Sequence, residues 1–251
     1  MLEVKGLSKR FGGLVAVSTL DFELREGEIL GLIGPNGAGK TTTFNIIAGT
    51  YGADEGEIRF AGEPILGLPP HEIARRGIIR TFQHNRPFGG MSVLENVMVG
   101  AHARFTTGLM SLLVGAGREE ERKQRCRAEE LIEFVGLPGL RDADVGTLSF
   151  GQGRLLEIAR ALAGEPRAIL FDEPAAGLTP AELDRLAGIL RGIAQRGIAV
   201  LLIEHDMRFL LPLASRVVVL NFGARIAEGT PEEVRSQRAV KDAYLGDAAA
   251  L

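Results

Sequence analysis

The chain has 251 residues, of which 45% are hydrophobic and 24% charged, and its formal net charge is −3 at pH 7. This length allows one large core, or a core with an inserted lobe. The acidic balance argues against a nucleic-acid binder, which usually carries a basic face. The single cysteine, Cys126, excludes an intrachain disulfide and offers no metal-binding spacing, and we interpret it as a helical residue without a chemical role.

The sequence shows neither a membrane span nor a targeting segment. It contains no run of ~18 apolar residues, and its N-terminus lacks the charged-then-apolar pattern of a signal peptide. We therefore expect a cytoplasmic protein, which reaches a membrane only through a partner.

The chain opens with strand-like patterns. Apolar residues occur at 2, 4 and 7, at 15–17 and at 22 and 24, among polar residues, which predicts strands before residue 33. Between the first two lies Phe11, an aromatic residue in a glycine-rich turn. Its ring could stack on a nucleotide base, since every base offers a π face, or it could instead fill the edge of the core.

The rest of the chain is organised around residues 34–42, which read GPNGAGKTT. An apolar run at 29–33 precedes this stretch and an apolar-periodic run at 44–48 follows it, so the loop joins a buried strand to a helix. Its glycines allow the backbone to approach an anion, and its N–H groups form a nest at the N-terminus of a helix. The predicted nucleotide contacts are Gly34, Pro35, Asn36, Gly37, Ala38, Gly39, Lys40, Thr41 and Thr42.

Three side chains of this loop have separate predicted roles. Lys40 adds a point charge for the β- and γ-phosphates. The hydroxyl of Thr41 is placed to ligate Mg²⁺, and that of Thr42 can donate to a phosphate oxygen. The alternative, a glycine-rich turn that binds nothing, leaves the complete motif and its strand–helix context unexplained.

Beyond the loop, the first helix is predicted to end near Gly49, with a strand at 56–60, a short helix at 69–76 and a strand at 78–82. The last strand leads into Gln83. An amide at a strand end can reach Mg²⁺ or the attacking water, whereas the alternative is a glutamine that faces solvent.

Helical periodicity dominates residues 91–163, which predicts a helical lobe inserted into the α/β core. The mixed-charge run at 118–127 is interpreted as a solvated helix face. Within the lobe, Ser149 directly precedes a helical pattern and can serve as its N-cap, with exposed N–H groups from Gly151 onward. This predicts a second anion site, against the alternative of an ordinary helix start.

Two further strands end in chemically useful residues. The apolar run 168–171 predicts a central parallel strand, and ligands bind at the carboxyl ends of such strands. Asp172 would hold Mg²⁺ through water, and Glu173 can polarise an attacking water; the alternative is a simple loop start. The apolar run 200–203 leads to His205, whose imidazole can donate to a γ-phosphate or, alternatively, pack as a structural residue.

The remaining pattern predicts a hairpin about residues 221–223 and a helical tail from Thr230. We therefore predict an α/β fold with two domains. Residues 1–87 and 165–251 form a nucleotide-binding core with a β subdomain, and residues 88–164 form the helical subdomain.

Six motifs together resemble the ATPase subunits of ABC transporters over the whole chain. They are GPNGAGKTT, the strand-end Gln83, LSFGQ, ILFDEP, AAGLT and IEHD, in that order. Within this family the chain looks most like the ATPase subunits of bacterial branched-chain amino acid importers, on RFGGLVAV, RTFQHNRPF, EPAAGL, IEHDM and AYLG. The resemblance implies a P-loop NTPase (RecA-like) core with an N-terminal antiparallel β subdomain and an inserted α-helical subdomain. It also implies ATP with Mg²⁺, base stacking by Phe11, and catalytic roles for Glu173, His205 and Gln83.

The resemblance further implies a site that two subunits complete together. Two such subunits sandwich two ATP molecules, so that Ser149, Gly151 and Gln152 reach the nucleotide held by the other subunit. The implied partners are a second ATPase subunit, identical or different, transmembrane permease subunits and, indirectly, a solute-binding protein. The implied location is the cytoplasmic face of the inner membrane.

The chain departs from the family pattern at two positions. The central glycine of the signature is replaced by Phe150, although Ser149 and Gly151 are present. Thr179 stands where an aspartate or asparagine is commoner, which puts its contact across the dimer in doubt.

Two other classes of protein compete with a transporter ATPase. A soluble ABC protein of translation or DNA repair usually carries a second nucleotide-binding half or a long coiled-coil insertion. A different P-loop enzyme, such as a GTPase, would leave LSFGQ unexplained, and no [NT]KxD motif is present.

The irregular segment 86–91 carries several apolar side chains, which predicts a binding surface. We expect it to line a groove for a cytoplasmic helix of the membrane partner. The alternative is that Phe88 and Met91 are buried in the core of the helical lobe.

Overall fold

The computed structural model describes residues 1–81, 87–101 and 116–244. Its strands are β1 (Leu2–Phe11), β2 (Leu14–Leu24), β3 (Ile29–Ile33), β4 (Glu55–Phe60), β5 (Glu63–Pro64), β6 (Ile78–Arg80), β7 (Ala168–Asp172), β8 (Ala199–Ile203), β9 (Arg216–Asn221) and β10 (Ala224–Gly229). Its helices are α1 (Lys40–Ile47), α2 (Pro70–Arg75), α3 (Val93–Ala101), α4 (Ala116–Phe134), α5 (Phe150–Ala163), α6 (Pro180–Gln195), α7 (Met207–Leu210), α8 (Pro231–Ser236) and α9 (Arg238–Tyr244).

The chain divides into two compact units. The first comprises residues 1–80 and 167–251, and the second comprises residues 81–166. The boundaries between the units therefore lie at 80/81 and 166/167, whereas the sequence predicts them at 87/88 and 164/165.

The larger sheet of the first unit contains β3, the strand that leads into the loop at residues 34–42. Its order is β10-β9-β3-β8-β7-β6, and all neighbours are parallel except the β9–β10 hairpin. Every residue of β3, β7 and β8 is buried, as continuous apolar runs covered on both faces require. The carboxyl ends of these three strands therefore lie together at one edge of the sheet.

The smaller sheet has the order β2-β1-β4-β5 and is antiparallel throughout. Leu2, Val4 and Leu7 on β1 are buried, and they join one hydrophobic cluster with residues of the larger sheet such as Leu30 and Leu201. The predicted fold class, an α/β core with an antiparallel β subdomain and a helical subdomain, is confirmed.

Helices α3, α4 and α5 form the second unit, with a 3-10 turn at Val145–Thr147. The predicted solvated face on α4 is confirmed where side chains are described, since residues 121–123 and 125–127 are exposed and Cys126 is an exposed free thiol. Over the three described ranges of the chain, no helix has both the length and the apolar character needed to cross a membrane.

The predicted local elements differ from the observed ones in small ways. The strand predicted at 78–82 ends at Arg80, and residues 82–86 lie outside the described part of the chain. The predicted end of the first helix near Gly49 is confirmed, because α1 ends at Ile47 and Gly49 takes a positive φ of 74°.

Two glycines inside helices, one as the test and one as its control, show how closely α3 and α5 pack. A Cβ at Gly100 on α3 would overlap the carbonyl oxygen of Arg160 on α5, whereas a Cβ at Gly188 on α6 would meet no atom within 4 Å. Gly100→Ala should therefore destabilise the protein by about 1–3 kcal/mol through overpacking. Gly188→Ala should stabilise it by about 0.5–1 kcal/mol, because alanine restricts the unfolded chain and favours a helix. Thermal melting of both variants checks the pair, and a fall in Tm of equal size for both would contradict the close α3–α5 contact.

Candidate functional site

The phosphate-loop motif leaves β3 and enters α1, as the sequence predicts. Gly34 has a φ of 151° and Gly39, the residue before α1, has a φ of 101°. A Cβ at Gly34 would overlap the carbonyl oxygen of Leu220 on β9, and a Cβ at Gly39 would overlap that of Ala16 on β2. Only glycine lets the loop backbone approach both strands this closely.

The β9–β10 turn supports the loop from behind. The amide of Gly223 donates to the carbonyl oxygen of Ala38 at 3.1 Å, and its own carbonyl accepts from the amide of Ser18 on β2 at 2.8 Å. Asn36 and Gly37, at the loop tip, are exposed. The loop is therefore fixed on its inner side and open to solvent on its outer side.

Lys40 is buried, with 8% of its surface exposed. Its Nζ donates to the carbonyl oxygens of Gly34 at 2.6 Å and of Pro35 at 3.0 Å. Burial lowers the pKa of its ammonium, and the negative charges of Glu173 and Asp172 oppose that shift. The structure therefore brings the lysine of the loop within electrostatic reach of both acids at the carboxyl end of β7.

Asp172 ends β7 and is 4% exposed. Its Oδ2 accepts from Nη2 of Arg80 at 2.8 Å, and Nη1 of the same guanidinium donates to Oδ1 of Asn45 on α1 at 2.6 Å. Since a buried carboxylate needs a charged or hydrogen-bonded partner, Arg80 fixes Asp172 and ties it to the helix that follows the loop.

Glu173 has a φ of 50°, in the left-handed region that glutamate rarely adopts. Such a conformation costs on the order of 1–3 kcal/mol and persists only where the surrounding structure imposes it. Its amide donates to the carbonyl oxygen of Ile203 on β8 at 3.0 Å. Its Oε2 lies 3.9 Å from Nδ1 of His205, whose side chain is 64% exposed. The alternative interpretation of His205 as a packed structural residue is therefore wrong.

The residue before His205 was not assigned a role from the sequence. Glu204 follows β8 directly, is 1% exposed, and accepts the amide of Ala175 on Oε1 at 2.8 Å. Burial raises the pKa of its carboxyl to about 7, and the nearby charge of Glu173 adds to the rise while the amide of Ala175 opposes it.

The predicted N-cap at Ser149 is confirmed. Its Oγ accepts from the amide of Gln152 at 3.2 Å, and Oε1 of Gln152 accepts from the amide of Ser149 at 2.8 Å, which is a capping box. Phe150, in place of the usual glycine, is 54% exposed, and the guanidinium of Arg154 lies 5.5 Å from its ring centroid. The aromatic substitution therefore leaves the capped start of α5 intact.

Thr179 also begins a helix, α6, in the first unit. Its amide and its hydroxyl both donate to Oε2 of Glu182 at 2.8 Å. Thr179 stands where an aspartate or asparagine is commoner, and its hydroxyl is hydrogen-bonded within the first turn of its own helix.

Phe11 does not fill the edge of the core, because it is 44% exposed. Its ring packs edge-on against Tyr51, with centroids 5.6 Å apart, and Nζ of Lys9 lies 5.4 Å from its centroid. No sequence pattern points to Tyr51, which follows α1 by several residues and reaches Phe11 only in the folded chain.

Gln83, predicted to contact Mg²⁺ or water, lies outside the described residues. Within the described ranges, no cluster of three or more histidine, cysteine or acidic side chains could hold a metal on its own. Asp172 and the exposed Thr41 are the predicted metal ligands whose positions are described. Arg80 and Glu204 were missed because each acts on another residue of the site, and a single sequence carries no signal for such pairs.

The family model for ABC transporters matches residues 17–176. The chain belongs to the ABC transporter family. A second model, for branched-chain amino acid ATP-binding cassette transporters, matches residues 224–250. The predicted ATPase class is thereby confirmed.

Similar proteins extend over nearly the whole chain. A high-affinity branched-chain amino acid transport ATP-binding protein of Pseudomonas aeruginosa is 44% identical over 99% of this chain and 98% of its own. A crystal structure of the ADP conformation of an ATP-binding cassette of an ABC transporter has a TM-score of 0.86 and 34% identity, and covers 98% of each chain. A dimeric structure of a bacterial ABC transporter cassette has a TM-score of 0.77 and 26% identity, and covers 92% of this chain and 99% of the other.

The raised pKa of Glu204 predicts how stability depends on pH. The unfolded chain loses this proton near the ordinary value of 4.5, whereas the folded chain keeps it to about 7. The contribution of the group is therefore complete below about 4.5 and is lost as the pH rises to about 7. Glu204→Gln cannot titrate, so the Tm of the variant minus that of the unmodified chain should increase across this window.

Glu182→Gln is a control of opposite sign. The amide of Thr179 lowers the pKa of Glu182, so its contribution is present at neutral pH and is lost in acid. Melting curves of both variants from about pH 3, below the ordinary carboxyl pKa of about 4, to a pH above the value of about 7 for Glu204 check the signs. A flat Tm difference for Glu204→Gln would contradict the buried, protonated carboxyl.

Proposed function

We propose that the chain is the ATP-binding and ATP-hydrolysing subunit of an importer of branched-chain amino acids. The observation that carries the proposal is the convergence of Lys40, Asp172, Glu173 and His205 at the carboxyl ends of three adjacent parallel strands. This is where α/β sheets bind ligands. The family model over residues 224–250 and the transport protein of Pseudomonas aeruginosa support the class of solute.

ATP would be held by the loop between β3 and α1. The glycines that cannot carry a Cβ keep the loop backbone close to its supporting strands, and the N-terminus of α1 favours phosphate. Lys40 would exchange its contacts with two loop carbonyls for the β- and γ-phosphates. The exposed ring of Phe11, braced by Tyr51, offers a stacking surface for the base.

The described residues fit Mg²⁺. Asp172 contributes a carboxylate, and Thr41 contributes an exposed hydroxyl at the start of α1; oxygen ligands of this kind, few in number, suit this ion when phosphates and water complete its shell. Gln83 would be a third ligand. Bound Mg²⁺ would supply positive charge against the phosphate oxygens. Arg80 holds the carboxylate of Asp172 in a single orientation for this purpose.

Glu173 would act as the general base. Its carboxylate is half-buried, its backbone is held in a strained conformation, and it follows the strand that presents Asp172. His205 lies within 4 Å of the same carboxylate, where it would donate to the γ-phosphate and restrict the rotation of Glu173. Gln83 would help to orient the attacking water.

A second subunit would complete each site. Ser149, Gly151 and Gln152 form the capped start of α5, whose amides and partial positive charge suit a γ-phosphate. The dimeric cassette among the similar structures supports this arrangement. Phe150 would leave these contacts possible, because the cap at Ser149 does not need a glycine at position 150.

Residues 88–91 would dock a cytoplasmic helix of a permease subunit. Phe88 is 48% exposed and Met91 38% exposed, so burial of both in the core of the helical unit is excluded. The buried side chain of Asn96 binds both the amide and the carbonyl of Phe88, at 2.8 and 3.1 Å, and the guanidinium of Arg160 lies 5.4 Å from the ring centroid. An exposed aromatic that is fixed in place suits an interface anchor.

This interaction would hold the subunit at the cytoplasmic face of the inner membrane, with a solute-binding protein as an indirect partner. A soluble ABC-type ATPase that is not coupled to transport is the alternative. The exposed position of Phe88, held by Asn96, favours the transporter, because it suits an interface with a partner chain.

Glu173→Gln should bind MgATP with little change in affinity and hydrolyse it about 10²–10⁴-fold more slowly, because the amide cannot take a proton. The variant should accumulate as an ATP-bound dimer if the subunit self-associates. Steady-state ATPase assays and nucleotide titration measure the two effects. Turnover near that of the unmodified chain would remove Glu173 from the mechanism.

Phe88→Ala should leave the basal ATPase rate of the isolated subunit within about twofold and its Tm nearly unchanged, because the ring is half exposed and far in sequence from the loop. Copurification with the permease subunits should fall sharply, since truncation of an aromatic anchor commonly costs about 2 kcal/mol or more. Leucine-stimulated turnover in the reconstituted transporter should fall with it.

Phe222→Ala is the matched control. This ring is 86% exposed on the β9–β10 turn of the first unit, and its removal should not affect copurification. A strong loss of Tm in Phe88→Ala with normal copurification would show that the ring serves the fold of the helical unit instead.

A further inference from the structure

Two hydrogen bonds join the segment after β7 to the end of β8. The amide of Glu173 donates to the carbonyl oxygen of Ile203 at 3.0 Å, and the amide of Ala175 donates to Oε1 of Glu204 at 2.8 Å. Between them stands Pro174, which has a fixed φ and no amide hydrogen. The three residues 173–175 are thus held at both ends by one neighbouring strand.

The second of these bonds depends on a side chain. Glu204 is 1% exposed and Ala175 9% exposed, so the amide of Ala175 has no ready exchange with solvent. An unpaired buried amide is unfavourable, and a side chain without an acceptor at position 204 would release the segment. The left-handed conformation of Glu173 would then lose one of the contacts that oppose its relaxation.

The same segment and the same strand end carry the proposed catalytic groups. Glu204 accepts a hydrogen bond from the amide of Ala175, two residues after Glu173, and it immediately precedes His205. The side chains of Glu173 and His205 approach to 3.9 Å. The amide of Ala176 also donates to the carbonyl of Glu173 at 3.3 Å, so the turn that leads to Thr179 continues directly from the held segment. A shift of this segment would separate the base from the histidine.

We propose that Glu204 is a positioning residue for ATP hydrolysis, which holds residues 173–175 so that Glu173 keeps its strained conformation beside His205. The proposal rests on the proposed function of Glu173 as the base. It requires a hydrogen-bond acceptor at position 204, and it does not require a negative charge there. It predicts that Glu204 acts on turnover and not on nucleotide binding, because no atom of the loop between β3 and α1 is involved.

The test compares two replacements in the full chain. Glu204→Gln keeps an oxygen acceptor of the same reach, and its kcat should stay within about threefold of that of the unmodified chain. Glu204→Leu removes the acceptor, and its kcat should fall at least about tenfold, since small misplacements of a catalytic group can cost about 10²-fold. The KM for MgATP should stay within about twofold in both. Hydrogen exchange at the amide of Ala175 should be faster in Glu204→Leu and unchanged in Glu204→Gln.

Glu28→Leu is the matched control. Glu28 is also buried and accepts a backbone amide, that of Arg25 at 2.7 Å, but it precedes β3 at the opposite end of the sheet. This variant should lose stability and keep its kcat per folded molecule. If Glu204→Leu does not fold at the assay temperature, Glu204→Asp, whose shorter side chain withdraws the acceptor, should show the same loss of kcat and the same faster exchange.

Several results would overturn the proposal. They are an unchanged kcat in Glu204→Leu, a loss confined to KM, an equal loss of kcat in Glu28→Leu, or a Glu204→Gln variant as slow as the leucine variant. Failure of the proposed function can be distinguished from failure of this proposal. If the proposed function is wrong, the unmodified chain does not hydrolyse MgATP, but hydrogen exchange still reports whether Glu204 holds the amide of Ala175.

Discussion

The geometry of the site depends on how closely the loop backbone approaches its supporting strands. At Gly34 and Gly39 the carbonyl oxygens of β9 and β2 occupy the space that any side chain would need. The amide of Gly223 closes the contact from the β9–β10 turn. This close packing fixes the direction in which the loop enters α1, and with it the position of Lys40 near the acids after β7.

A second constraint acts at the carboxyl ends of β7 and β8. Asp172 is held by Arg80, and Glu173 stands in a backbone conformation that glutamate disfavours. Strain of this kind persists only where neighbouring groups oppose relaxation, and the bonds from residues 173 and 175 to β8 supply that opposition. The fold thereby directs the carboxylate of Asp172 toward the partly buried guanidinium of Arg80 and that of Glu173 toward His205 and solvent.

The helical unit combines two features of different character. The start of α5 is closed locally by the capping box of Ser149 and Gln152, so its conformation does not rely on Phe150. The segment at Phe88, in contrast, is irregular and is fixed by the buried Asn96. A polar side chain with no exposed surface that binds a loop backbone on both sides gives order to a surface that would otherwise move.

Most of the secondary-structure elements and most of the candidate site residues could be predicted from the sequence alone. The apolar runs 168–171 and 200–203 are typical of buried strands, and the glycine spacing about Lys40 is typical of a phosphate-binding loop. Local chemistry also determined the cap at Ser149, because its partner Gln152 is three residues away. Only the tertiary structure decided that Arg80 holds Asp172, that Tyr51 braces Phe11, and that Glu204 holds Ala175. These pairs join residues far apart in the chain, and their energy comes from desolvated contacts that exist only after the strands have packed; a pattern of neighbouring residues contains no record of them.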